Sequence, residues 1–147
     1  MAHRYANVII HTVFSTKERA SSIPDDLQPR LWKYLGGIGK NHEVPILTAG
    51  GTANHAHVLI ALPADMSVAH AVQLLKANSS RWIGEHGIDF HWQEGYGAFS
   101  VSTTNVDAVR HYIAHQAAHH QKRSYEDEFL GMLRRARMTF DEKDVFA

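Results

Sequence analysis

The chain has 147 residues, 44% of them apolar and 20% charged, and no cysteine. That length gives one domain with a real core. The composition excludes a disordered tail, a membrane protein, a disulfide scaffold, a zinc ribbon, an iron–sulfur site and thiol chemistry. Lys plus Arg and Asp plus Glu each number 15, a formal charge of zero, which excludes a highly cationic nucleic-acid coat but not a local basic patch.

In chain order, Asn7 to Ser15 carries Val8, Ile9, Ile10, Val13 and Phe14, the β-branched and aromatic density of a first strand. Lys17 to Ile23 reads as a loop. Pro24-Asp25-Asp26 opens a first helix, with carboxylates at the positive end of its dipole. Leu27, Leu31, Tyr34, Leu35 and Ile38 share one of its faces. Val44 to Ala49 reads as a second strand, Gly50 to Asn54 as a turn, and His55 to Leu62 as a third strand ended by Pro63, together a hairpin. Ser67 caps a second helix, with Val68, Val72, Leu75, Ser79 and Trp82 spaced at three and four, stopping near Gly87. Phe90 to Ser102 is extended, bent at Gly95 and Gly97. Asn105 is expected to cap a third helix running to about Lys122. Ser124, with Asp127 three residues on, starts a fourth, Tyr125 to about Arg137. The last ten residues are expected to form a loosely held tail on a single domain spanning 1–147. The longest apolar run, Val58 to Leu62, is far short of a membrane span. Met1 to Tyr5 lacks a signal peptide's apolar core, so a cytoplasmic protein is expected.

The order β-α-β-β-α-β followed by two helices matches the split βαβ, ferredoxin-like arrangement, an α+β fold. Strands one and three then lie in the middle of an antiparallel sheet, with the helices on one face. His55 and His57 share one face of the third strand, while Ala56, Val58 and Ile60 face the core. Histidine is abundant, twelve in all, and it is the commonest metal ligand. Two imidazoles side by side suit a divalent cation, although an isolated His-x-His is often just a polar pair on a solvated face. The third helix offers further groups. Beside its apolar stripe of Val106, Val109, Ile113 and Ala117 lie Tyr112 and Gln116, four apart and one turn from each other, with His115, His119 and His120 nearby. Without the strand histidines, Tyr112 reads as a core-edge residue and Gln116 as its solvated neighbour.

His55-Ala56-His57-Val58-Leu59-Ile60 resembles the histidine–hydrophobic–histidine (HUH) motif, and Tyr112-Ile113-Ala114-His115-Gln116 resembles the tyrosine helix of the single-tyrosine HUH transposases. These serve small insertion sequences and include the related repetitive-element-associated tyrosine transposases. Ile10 to Lys17, Leu74 to Ile83, Trp92 to Val101 and His119 to Leu130 are similar too, in the right order along nearly the whole chain. The resemblance implies an enzyme that cleaves and rejoins single-stranded DNA, often hairpin-containing, at transposon ends through a 5′-phosphotyrosine. It implies Tyr112 as nucleophile and His55, His57 and Gln116 as ligands of Mg2+ or Mn2+, with no organic cofactor. It also implies a homodimer in which the tyrosine helix can pass to the partner's site. Ala56 is smaller than the apolar residue common at the centre of that motif, which bears on packing rather than ligation.

The residues suit that chemistry. A free phenol, with a pKa of about 10, is scarcely ionised at neutral pH, and a cation on two imidazoles and an amide oxygen leaves positions open for a phosphate. Gln116 holds a hard cation loosely, whereas a third histidine would favour zinc. His120, four residues further on, is a candidate auxiliary ligand or DNA contact. Lys76, Arg81, Arg110, Lys122 and Arg123 are candidate phosphate contacts, and Trp82, Trp92 and Tyr96 candidate stacking platforms, with Trp82 assigned to the core by its helix stripe. Helix-dipole compensation explains much of Arg134-Arg135-Ala136-Arg137, with DNA contact second. Two other readings are a catalytically inactive or domesticated single-stranded or hairpin DNA-binding protein, and a metal-dependent hydrolase in which Tyr112 is merely structural.

Overall fold

The computed structural model describes residues 3–147. Four strands, β1 (Ile9–Ser15), β2 (Ile46–Thr52), β3 (His55–Ala61) and β4 (Gly97–Val101), form one sheet in the order β2-β3-β1-β4, with every neighbouring pair antiparallel. Helices α1 (Gln28–Asn41) and α2 (Val68–Gly84) link the strands as the ferredoxin-like pattern requires. The register pairs Val13 with His57 and Ser15 with His55, so the third strand is central, as expected.

Alternation along the strands sorts the two faces. Phe14, Ala56, Val58 and Ile60 join Leu31, Leu35, Val72, Leu75 and Ile83 of α1 and α2 in the main core. The opposite face carries His11, Val13, His55 and His57 and is roofed by α3 (Val106–Ala114), α4 (Gln116–His119) and α5 (Tyr125–Arg135). A second apolar cluster of Val13, Tyr125, Phe129, Met132 and Leu133 anchors α5 there. Helices therefore cover both faces of the sheet, α3, α4 and α5 closing the one that the six-element pattern leaves open.

Several boundaries differ from expectation for identifiable reasons. The first helix begins at Gln28 after a turn, with Pro29 in its first turn, where a missing N–H costs nothing. Gly50 and Gly51 belong to β2 rather than to the turn, which is confined to Ala53 and Asn54. A Cβ on Gly50 would lie 2.4 Å from the Ile113 carbonyl oxygen, so glycine there lets the backbone of α3 settle onto the sheet. The stretch Phe90–Ser102 is regular only over β4 and is otherwise held by irregular contacts, including a bridge from Trp92 to Thr16. Asn105 does not cap α3 with its side chain but ends a short 3-10 turn. The third helix does not run to Lys122. It breaks at His115, with φ −112° and ψ 28°, and resumes at Gln116. Ser124 caps α5 as expected, accepting from the Asp127 amide at 3.1 Å.

The tail is not loosely held. It forms α6 (Glu142–Val145) and packs Phe140, Val145 and Phe146 on the second cluster. Arg19 ties it down, donating to the Phe146 carbonyl at 3.2 Å and lying 5.1 Å from that ring's centroid. Among the described residues no helix is long and apolar enough to cross a membrane.

Candidate active site

His55 and His57 are both 0% exposed, so neither is a polar residue on a solvated face. Each ring is held from behind. His55 Nδ1 lies 2.8 Å from Asn54 Oδ1 and 3.0 Å from Thr52 Oγ1. His57 Nδ1 lies 2.8 Å from Nε2 of His11, a buried histidine on the neighbouring β1. Occupying Nδ1 in this way fixes each ring and turns Nε2 inwards, the arrangement that orients imidazole ligands in metal sites.

The inward atoms converge. Gln116 is 1% exposed, and its Oε1 lies 3.0 Å from Nε2 of both His55 and His120. The break at His115 accounts for this, because it turns Gln116 onto the sheet and leaves Ala117 exposed, reversing the burial that an unbroken stripe predicts. Glu128, also 1% exposed, projects from the first turn of α5 into the same space. Its Oε1 is 3.1 Å from Nε2 of His57 and of His120, and 3.4 Å from Nε2 of His55. Its other oxygen accepts a hydrogen bond from the Tyr112 hydroxyl. Ligand atoms of His55, His57, His120 and Glu128 all lie within 4.8 Å of one another, a cluster able to hold a divalent metal.

Electrostatics follow from burial. Burial pulls His57 down to about 4, against the neighbouring Glu128 carboxylate. Burial and then the adjacent His57 pull His11 down to about 3, so both rings are neutral at physiological pH. Burial alone would raise the Glu128 carboxyl, but contacts with His120, His55 and His57 outweigh it and hold the group well below the usual carboxylate range. Burial and then Glu128 push the Tyr112 phenol up to about 12.

A cation fits this donor set. Nδ1 of His55 faces two oxygens, one of them the Asn54 amide oxygen whose orientation is set by Asn54 Nδ2 donating to the Arg19 carbonyl. With the ring proton on that side, as ligation requires, His55 would turn a bare Nε2 towards a cation lying between it and the oxygens of Gln116 and Glu128. Lone pairs facing lone pairs in a buried site call for positive charge between them.

The candidate phosphate contacts divide. Lys122 and Arg123 line a cleft of about 420 Å3 together with Tyr112, His119, His120 and Glu128. Arg110 is exposed on α3. Lys76 and Arg81 lie on α2, across the sheet from the histidines. Lys76 donates to the carbonyls of Gln93 at 2.6 Å and Gly95 at 3.0 Å, and Arg81 donates to Asn78 at 3.0 Å. Trp82 stacks on Tyr34, and Trp92 packs between Phe14 and Phe90, so both serve the core. Tyr96 is exposed.

Sequence reasoning missed Glu128 and His11. Glu128 sits between Asp127 and Phe129 in an acidic first turn that helix-dipole compensation already explains. The usable signal was its place on the stripe of Tyr125, Phe129 and Met132, where a carboxylate is out of keeping with burial. His11 alternates with Ile10 and Thr12 on a strand otherwise apolar enough to hide it.

Imidazoles, an amide and a carboxylate thus form a buried nest beside a tyrosine on a split βαβ sheet. The family model described as "Transposase IS200 like" matches residues 4–116, and the chain belongs to that family. The transposases for insertion sequence element IS200 of Salmonella typhimurium and Salmonella typhi are each 29% identical over 124 residues, 79% of this chain and 81% of theirs. The crystal structure of a Deinococcus radiodurans R1 protein assigned as a transposase superposes with a TM-score of 0.62 at 18% identity, covering 79% of this chain and 96% of that one. A REP-associated tyrosine transposase, bound to a REP hairpin, superposes at 0.60 with 13% identity, covering 82% of this chain and 74% of that one. At such identities the two structures speak for the fold. The protein is a DNA transposase. His120 and Glu128 lie beyond the span that the family model matches.

Proposed function

We propose that this transposase cuts and rejoins single-stranded DNA at hairpin-containing transposon ends through a 5′-phosphotyrosine on Tyr112. The observation that carries the reading is the meeting, within one chain, of the Tyr112 hydroxyl and the inward-facing Nε2 atoms of His55 and His57 around one carboxylate. The hairpin bound by the REP-associated relative supports a structured DNA end as substrate.

His55, His57 and Gln116 would hold the metal, with His120 as auxiliary ligand, and the mixture of imidazole and neutral amide suits Mg2+ or Mn2+. When bound, the ion supplies a Lewis acid that draws charge from a phosphate oxygen. Tyr112 is protonated at neutral pH because its phenol is raised to about 12, so it must lose its proton as it attacks. Glu128 accepts a hydrogen bond from that hydroxyl and so is placed to take the proton. Tyr112 Oη forms the bond to phosphorus, the bond from phosphorus to the 3′ oxygen breaks, and the departing 3′ oxygen takes a proton from solvent and leaves as a 3′-hydroxyl. Lys122 and Arg123 bind flanking phosphates in the cleft beside Tyr112. In the reverse direction a different 3′-hydroxyl attacks and gives its proton to solvent, Tyr112 departs, and Glu128 returns the phenol's proton. Phosphoester energy is conserved throughout, so strands join without ATP.

Tyr125, the other tyrosine near the histidines, is a poor nucleophile by comparison. It is buried, its ring packs 4.5 Å from that of His55, and burial raises its phenol. A homodimer completes the reading, with sedimentation at micromolar concentration as its check. The decisive experiment is a denaturing gel of the protein incubated with single-stranded end fragments and Mn2+. A covalent adduct that Tyr112→Phe abolishes supports strand transfer. Binding without an adduct would make the protein a DNA-binding module, and cleavage surviving Tyr112→Phe would make it a hydrolase. His57→Ala is expected to remove cleavage and leave hairpin binding intact.

A further inference from the structure

Tyr112 also borders a second groove, of about 470 Å3, between β4, α3 and α5, walled by His11, Phe99, Val109, Met132 and Arg135. Three aromatic rings from three elements meet there, with His11 centred 6.4 Å from Phe99 and 6.3 Å from Tyr112. Val109 and the Met132 thioether extend this apolar wall, and the exposed Ser100 and Asn105 supply hydrogen-bonding groups at its mouth. Flat apolar contact with a few polar groups beside it is what an unstacked base needs.

The rim carries a cation with nothing else to do. Within Arg134-Arg135-Ala136-Arg137, Arg134 is engaged by Glu142. Arg135 is exposed, lies on the groove and makes no ion pair among the described residues. Dipole compensation accounts for positive charge at this helix end in general. It does not account for an unpaired guanidinium placed over an aromatic-walled groove that the nucleophile shares.

We propose that this groove holds an unpaired nucleobase of the DNA strand next to the phosphate under attack, with Arg135 on that nucleotide's phosphate. The inference rests on the strand-transfer reading, since Tyr112 as nucleophile is what makes the neighbouring groove a place for the reacting strand. A base seated against the Tyr112 wall fixes the strand relative to the phenol oxygen, a positioning effect on the attack itself. Lys122 and Arg123 in the other cleft hold backbone, so the groove supplies the contact to a base that the cleft does not.

The test uses the full chain and a short single-stranded oligothymidylate carrying 5-iodouracil and a fluorescent label. Ultraviolet crosslinking followed by peptide mapping is expected to place the adduct on Phe99, Met132 or Tyr112. Ala136→Trp changes an exposed residue and fills the groove. It is expected to weaken binding by on the order of tenfold and to remove those crosslinks, as loss of one stacked base does. Arg135→Ala is expected to lower the salt dependence by about one phosphate contact. Wild-type binding with crosslinks only elsewhere and unchanged affinity in Ala136→Trp would overturn the groove assignment while leaving Tyr112 chemistry standing. Absence in the wild-type protein of both oligothymidylate binding and the Tyr112 adduct with single-stranded end fragments would overturn the two together.

Discussion

On the face towards α1 and α2, Ala56, Val58 and Ile60 of β3 meet Phe14 of β1 in an apolar layer. One residue along the same strands, His55, His57 and His11 look towards α3, α4 and α5. The two faces are equally buried at their centres but differ in what burial does. On the first it removes hydrocarbon from water and stabilises the fold. On the second it desolvates imidazoles, an amide and a carboxylate, which stay favourable only while each is matched. A sheet whose far face supplies the stability can carry a costly polar nest on the near one.

The comparison is tested most severely by Tyr112→Phe. On the site face, removing one oxygen is expected to eliminate the covalent adduct altogether, while circular dichroism and the melting temperature show a native fold. On the core face, Phe14→Ala is expected to cost about 3–5 kcal/mol of stability, read from urea unfolding. Single-turnover cleavage by the remaining folded protein should stay near wild type. If Phe14→Ala abolished cleavage in fully folded protein, the separation of the two faces would be wrong.

Metal binding sharpens the same contrast. Mn2+ at about a hundred times its dissociation constant is expected to stabilise the protein by about 2.7 kcal/mol, visible as a higher melting temperature that chelation reverses. His57→Ala should lose that gain, whereas Phe14→Ala should keep it. His11 gives a finer test, because it touches His57 and not the cluster's centre. His11→Leu is expected to weaken Mn2+ binding by roughly 10–100-fold, and His11→Asn, whose amide oxygen can accept from Nδ1 of His57, to restore part of it. Equal loss in both variants, measured by calorimetry, would reduce His11 to a packing residue.

How much of this was legible in sequence follows the range of each signal. The period of two along β3 separates His55 and His57 from Ala56, Val58 and Ile60 without any tertiary information. The βαββαβ order is equally local. The break at His115 was not legible, because Ala114, Gln116, Ala117 and Ala118 all suit a helix. The turn is seen only in the fold, where it brings Gln116 to His55. Gly50 reads as turn chemistry from its neighbours, and only the carbonyl of Ile113, distant in sequence, explains it as a strand residue. Glu128 was masked by Glu126 and Asp127, whose dipole role is sufficient for all three. The tail was undervalued because Phe140 and Phe146 are two aromatics without periodicity, and their partners Tyr125 and Phe129 belong to another element.

The smallest effect concerns how α5 delivers Glu128. Ser124 accepts from the Asp127 amide at 3.1 Å, so Ser124→Ala leaves a donor of the first turn unpaired and is expected to cost about 1 kcal/mol. A comparable loss at the Ser67 cap of α2, which accepts from the His70 amide at 3.0 Å, would fall on the core layer. Equal in stability, the two variants should differ in chemistry. Fraying the start of α5 loosens the very turn that carries Glu128, so Ser124→Ala should weaken Mn2+ binding and slow adduct formation by a few-fold. Ser67→Ala should change neither. If both variants left cleavage untouched, the carboxylate would not depend on its helix start for placement, and the near face would be more rigid than its polar construction implies.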